Sequence, residues 1–246
     1  HNCDFKEAKR IVSSWGLDPN MATKVDTPQD DFKPWLGFEP RNWEIKDIVY
    51  WGEYGITHEQ LVEDGVQPVN SFEFNTKRDP SLTLVKRPVL GFALPARDKW
   101  KIYCPYETPK FITNVKSNDL FFMDGSADGD TVLFLSSYKD ARVVKNLGFS
   151  VRGLQGEKMI PDWDLIQDIA SRFRSVYIAL DDDIGGKQGT QMFVDRAKNV
   201  EINNVYPLTF PKEFRKFGKD YADVRKKCIF PWKMKEIILK QINNKR

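Results

Sequence analysis

The run Asp181-Asp182-Asp183 follows the apolar Ile178-Ala179-Leu180 and leads into Ile184-Gly185-Gly186. In an extended segment residues two apart point the same way, so Asp181 and Asp183 share a face. Two carboxylates that close repel each other unless a cation sits between them, and oxygen donors suit magnesium or manganese. Gly185 and Gly186 let the backbone turn tightly into a helix. An acidic turn capping that helix would account for the same residues, since a helix N-terminus favours Asp. The rest of the chain tips the balance toward a metal site. Lys139-Asp140, Gln155-Gly156-Glu157 and Lys219-Asp220-Tyr221-Ala222-Asp223 also follow strand-like segments. Acidic groups at four strand ends converge on one sheet edge, which independent caps would not require.

The elements that must hold those residues are regular. Thr131–Leu135, Ser150–Leu154, Val176–Leu180 and Ile202–Tyr206 read as strands, and Tyr138–Leu147, Trp163–Phe173 and Gly186–Asn199 as the helices between them. Strands alternating with helices of about ten residues predict a parallel sheet, with its chemistry at the carboxyl ends of the strands. The first half is less regular. Lys6–Trp15 is a helix candidate, and Asp26–Pro34 is Pro- and Asp-rich, as a linker or strap would be. A helix from Asp47 ends at Gly55, and Thr57 with Gln60 forms a capping-box pattern for the next. Val69–Phe74, Val89–Leu94 and Trp100–Cys104, punctuated by Pro and Gly, predict a small antiparallel sheet. Trp232–Arg246 is a basic amphipathic helix that either closes the core or leads toward a docking segment.

Composition sets outer bounds. The chain has 246 residues, 41% hydrophobic and 30% charged, which is enough to bury a core and argues against general disorder. A net charge of +3 neither requires nor excludes nucleic acid. Three scattered cysteines, Cys3, Cys104 and Cys228, predict no disulfide framework and a reducing compartment. No apolar run approaches the roughly 20 residues needed to span a bilayer, and there is no signal-peptide pattern. The expectation is a soluble cytoplasmic protein without a membrane partner. His1-Asn2-Cys3 reads as a cut end, with Cys3 either a terminal thiol or the last ligand of a zinc ribbon lying upstream.

Residues 130–225 resemble a Toprim domain, the fold shared by bacterial DnaG-type primases, type IA and II topoisomerases and certain nucleases. The likeness runs through Thr131–Gly148, with Tyr138-Lys139-Asp140-Ala141 and Leu147-Gly148. It continues through the Asp-x-Asp-x-x-Gly element at Asp181–Gly186 and through Lys219-Asp220-x-x-Asp223. One position departs. The family carries an acid at the end of the first strand, followed by Gly, where this chain has Ser136-Ser137. A hydroxyl neither ligates a metal nor moves a proton as a carboxylate does. Divergent phage-type primases resemble this chain in having Ser there, so Glu157, one strand over, is the expected replacement.

Residues 47–114 resemble the nucleotide-handling half of a primase core. The order is strand, strand, then Pro-Lys-aromatic at Pro109-Lys110-Phe111. The resemblance implies an α/β fold: a C-terminal Toprim domain with a parallel sheet flanked by helices, after a smaller mixed α+β subdomain. The expected divisions are 1–45 (strap or linker following a zinc ribbon), 46–128 (nucleotide and template handling), 129–226 (Toprim) and 227–246 (basic helix). The implied function is magnesium- or manganese-dependent synthesis of short RNA primers from ribonucleoside triphosphates on single-stranded DNA. A replicative helicase is a candidate partner, and the setting is a bacterial or phage-infected cell. Asp181, Asp183, Glu157 and Asp140 are the expected catalytic acids. Asp181, Asp183, Glu157, Asp220 and Asp223 are the expected metal ligands. Lys110, Arg97, Lys99 and Lys139 are expected to hold nucleotide or template, with zinc confined to the upstream ribbon that ends at Cys3. A Toprim-type nuclease is the alternative, and a DNA-binding module that lost its acid at Ser136 is another.

Overall fold

The structure, a computed structural model, describes residues 35–75, 83–123, 129–227 and 230–244. The helix expected at Lys6–Trp15, the stretch Asp26–Pro34 and Cys3 lie outside the described residues. Part of the expected strap is a strand, β1 (Leu36–Pro40), whose brevity hides its pattern in the sequence. Helix α1 (Ile45–Gly52) begins where the Glu44 N–H donates to Asp47 Oδ2 at 2.9 Å. Arg41 holds the buried Asp47 carboxylate in a fork of 2.6 and 2.7 Å. Gly55 takes φ +67° just beyond this helix, a conformation that favours glycine. Thr57 and Gln60 form the predicted capping box at α2 (His58–Glu63), with His58 as its first residue.

Then come β2 (Gln67–Asn75), β3 (Thr83–Lys86), β4 (Phe92–Ala96), β5 (Lys99–Tyr103) and β6 (Phe111–Thr113). Together with β1 they form a six-stranded antiparallel sheet in the order β1-β2-β4-β5-β6, with β3 beside β2. The second half contains β7 (Gly129–Leu135), α3 (Tyr138–Asn146), β8 (Ser150–Gly153), α4 (Trp163–Arg172), β9 (Phe173–Ala179), α5 (Ile184–Asn199) and β10 (Val205–Pro207). Its four strands are all parallel, in the order β10-β9-β7-β8. The alternation read from the sequence is therefore a four-stranded parallel sheet with intervening helices. The last strand starts later than its apolar residues suggest, because Ile202 packs into the core from a turn rather than from β10.

Strand alternation divides the core. Leu133 and Leu135 of β7 and Tyr177 and Ala179 of β9 face one way, while Val132, Phe134, Val176 and Ile178 face the other. The first face joins a core that includes Trp51, Phe92 and Tyr103, so the two halves share one apolar interior. The second is covered by Ile166 and Ile169 of α4 and Phe193 and Val194 of α5. Polar contacts pin the halves as well. Asp64, after α2, accepts from Tyr138 Oη at 2.7 Å and from Arg142 at 3.0 Å, both on α3. The chain then runs through α6 (Tyr221–Lys226) to α7 (Pro231–Asn243). Met234, Ile238 and Ile242 of α7 are buried in the shared core, so this helix helps to close it. Among the described residues no helix is long and apolar enough to cross a membrane.

Candidate functional site

The acids after β9 part according to side. Asp181 and Asp183 both meet Lys219, whose ammonium lies 3.1 Å from Asp181 Oδ2 and 2.5 Å from Asp183 Oδ2. Asp182 turns away to Lys187 at 2.8 Å and Arg215 at 2.7 Å. This is the two-residue periodicity expected of extended chain. Asp183 also caps α5 by accepting from the Gly186 N–H at 2.9 Å, so α5 starts two residues earlier than the glycines alone indicate.

Glu157 completes the group. One oxygen each from Glu157, Asp181 and Asp183 lies within 4.8 Å of the others, making a three-carboxylate cluster that could hold a divalent cation. Only hard oxygen donors are present, which fits magnesium or manganese better than zinc. Glu157 follows β8, separated from β9 by β7, so its loop must carry it across a strand. Helix α5 is pressed onto that loop. A β-carbon at Gly189 would run into the Glu157 carbonyl oxygen and sit 3.1 Å from Leu180 Cδ1, and one at Gly185 would strike the Glu157 carboxylate. The glycines therefore do more than turn the chain: they let a helix lie against the segment that delivers the third acid. Gly189, spaced three residues beyond Gly186, is a signal the sequence carried unread.

Electrostatics follow from crowding. Burial and the charges of Asp181 and Asp183 push the Glu157 carboxyl up. Burial and the neighbouring Asp140 push Asp181 up. The Lys219 hydrogen bond and the α5 backbone N–H groups hold Asp183 below the ordinary range. Lys219 in turn is held well above its usual value by Asp183 and Asp181. Glu157 and Asp181 are thus hard to ionise as they stand, and a cation beside them would favour their charged forms.

Asp140, Asp220 and Asp223 sit differently. Ser136, at the end of β7, donates to Asp181 Oδ1 and lies 3.4 Å from Asp140 Oδ2. The buried Asp140 also accepts from Ser137 Oγ at 2.5 Å and from the Ala222 N–H at 2.9 Å. It brackets the first turns of α3 and α6. Asp220 caps α6, accepting from the Asp223 N–H at 2.6 Å, and burial together with Asp140 pushes it up to about 8. Asp140 and Asp220 line the same cavity as Glu157 and Asp181, whereas Asp183 and Asp223 do not line it.

That cavity, about 420 Å³, lies between the two halves. Its wall opposite the acids includes Lys101, Tyr103, Lys110 and Phe111 from β5, β6 and the loop between them. Phe111 stacks on Tyr103 with ring centroids 5.1 Å apart, and Lys101 Nζ lies 4.4 Å over Phe111. Lys110 is exposed at the rim. Lys139 also lines the cavity, with its ammonium 4.0 Å over the Tyr54 ring. Lys99 and Arg97 are elsewhere. Lys99 is paired with the buried Asp119 at 2.8 Å, and Arg97 borders a separate depression with Glu63, Asp64 and Phe122. Sequence reasoning missed Lys101. It donates to the Gln155 carbonyl at 2.6 Å, and burial lowers it to about 8. The clue was a Lys alternating with Ile102 on a strand whose other face is core.

The fold has the architecture of DNA primase catalytic cores. No family model matches the chain, and no curated protein does either. Among solved structures it is similar to the primase fragment of the bacteriophage T7 primase-helicase protein, with a TM-score of 0.53 and 15% identity over 78% of this chain and 72% of that one. It is similar to the DnaG catalytic core, with a TM-score of 0.52 and 16% identity over 95% of this chain and 72% of that one. The DnaG primase catalytic domain bound to ssDNA gives 0.52 and 15% over 85% and 65% respectively. At these identities the likeness is one of fold.

Proposed function

We propose that the chain is a primase core that joins ribonucleotides on a single-stranded DNA template in a magnesium- or manganese-dependent reaction. The observation that carries this is a cluster of Glu157, Asp181 and Asp183, the first two of which line a cavity whose opposite wall presents lysines, in a fold similar to primase cores. Glu157, Asp181 and Asp183 would hold the metal, which would supply polarisation of the attacking hydroxyl and offset charge on the leaving pyrophosphate. Glu157 supplies the carboxylate missing at Ser136. Asp140 keeps the first turns of α3 and α6 in register, and Asp220 faces the same space. Lys110, Lys101 and Lys139 would hold the triphosphate or template phosphates by charge-assisted hydrogen bonds. Single-stranded DNA as template is supported by the fold shared with the DnaG domain bound to ssDNA. A replicative helicase as partner, and a bacterial or phage-infected cell as the setting, rest on the sequence resemblance.

The test is incubation with single-stranded DNA, magnesium or manganese, and labelled ribonucleoside triphosphates. Short labelled oligoribonucleotides are expected. Degradation of the DNA would assign the nuclease, and binding without either product would make the chain a module that lost its acid.

A further inference from the structure

The divalent cation and a lysine want the same oxygens. Lys219 spans Asp181 and Asp183, two of the three residues that form the carboxylate cluster. Its side chain is half exposed, so nothing packs the ammonium in place. Its backbone, by contrast, is pinned. The Lys219 carbonyl accepts from the Asp182 N–H at 2.8 Å, and the Asp182 carboxylate holds Arg215 and Lys187. Lys219 also lines the cavity that Lys101, Lys110 and Lys139 face. A fixed backbone with a half-exposed tip, held by two ion pairs beside the cavity, is the construction of a swinging arm.

We infer that Lys219 is an exchangeable internal cation: a divalent metal displaces its ammonium from Asp181 and Asp183, and the freed side chain turns into the cavity to contact a nucleotide phosphate. This rests on the proposed metal-dependent function and adds a coupling to it. Metal binding and phosphate binding reinforce each other through one side chain, because the metal releases a cation where the triphosphate needs one. A Lys and a divalent ion cannot share the two carboxylates without strong repulsion, and a lysine released into a half-exposed position keeps its charge at neutral pH, since the ordinary ammonium loses its proton only at about 10.4. Asp182, the middle acid of the run, is the positioning residue that holds the arm at its base.

The experiment uses the full chain and measures Mn2+ affinity by electron paramagnetic resonance and ATP affinity by calorimetry, at physiological salt. Lys219→Met should bind Mn2+ about fivefold more tightly, because two half-exposed ion pairs no longer compete. ATP in saturating magnesium should bind it about tenfold more weakly, the loss of one charge-assisted contact. Lys187→Met removes an equal charge that touches neither Asp181 nor Asp183, and should change Mn2+ affinity by no more than about twofold in screened solution. Lys219→Arg keeps the charge and should stay near wild type in Mn2+ binding, and Lys219→Gln replaces Met if that variant does not fold. Opposite shifts for metal and ATP support the arm. Equal Mn2+ affinity in wild type and Lys219→Met, or equal gains in Lys219→Met and Lys187→Met, overturn it. A wild type that binds no Mn2+ removes the metal site itself, and the function proposed from it, before the arm is in question.

Discussion

Gly189→Ala tests whether the packing of α5 on the Glu157 loop builds the site. A glycine inside a helix ordinarily gains about 1 kcal/mol when replaced by alanine. Here the added methyl would meet the Glu157 carbonyl, 3.0 Å from its carbon and closer to its oxygen, and would lie 3.1 Å from Leu180 Cδ1. The main contact is backbone, so a rotamer change cannot relieve it. Forcing one methyl into a packed place costs about 1–3 kcal/mol, and a backbone collision belongs at the upper end. The net expectation is a loss of about 2 kcal/mol after the propensity gain. Gly52 supplies the control, since it ends α1 and a β-carbon there would meet nothing within 4 Å. Gly52→Ala should be neutral or stabilising by up to about 1 kcal/mol. Urea denaturation of both variants reads the difference, roughly 2–3 kcal/mol in midpoint-derived stability. Mn2+ titration reads the consequence for function: a loop pushed off α5 takes Glu157 out of the cluster, so Gly189→Ala should lose at least about tenfold in affinity while Gly52→Ala keeps it. If Gly189→Ala is as stable as Gly52→Ala and binds Mn2+ equally well, the close approach does not hold the site together.

Other expectations follow from the same geometry. Asp181→Asn with Asp183→Asn should abolish metal-dependent activity in a folded protein, checked by circular dichroism beside the primer assay. Glu157→Gln should cost orders of magnitude in primer synthesis and Ser136→Ala little; equal activity of Glu157→Gln and wild type would return the missing acid to Asp140. Lys110→Ala should weaken triphosphate or template binding by about 1–3 kcal/mol and reduce its salt dependence, seen in a titration at several ionic strengths. Asp220 is pushed up to about 8, so without divalent metal the folded chain binds the extra proton between the ordinary carboxylate range and pH 8. Its contribution to stability is full below about pH 4 and falls as pH rises through 8. Asp220→Asn should flatten that part of the pH–stability curve in chemical denaturation, and an unchanged slope would refute the assignment.

The sequence by itself determined the parallel sheet, because apolar runs of strand length alternating with amphipathic helices leave few other arrangements. It also determined that Asp181 and Asp183 lie on one side, since the two-residue period of extended chain is local and needs no partner. The Thr57–Gln60 capping box was legible for the same reason: both residues lie within one turn. What depends on strands meeting across the fold was not legible. Lys99 and Lys101 share a face of β5, and that Lys101 lies in the cavity wall while Lys99 is spent on Asp119 follows from where along that face the opposite half meets the strand. The strand β1 escaped notice because five residues, the last of them a proline, have too little pattern to declare themselves without the partner β2. Glu157 was nameable from its position after a strand, but its approach to Asp181 depends on the order β9-β7-β8 and on α5 lying flush against its loop. Lys219 stands 36 residues from Asp183, and their 2.5 Å contact exists only because the chain returns past β10 to the same sheet edge. Local periodicity fixes which residues share a face; the crossing of strands fixes which faces meet.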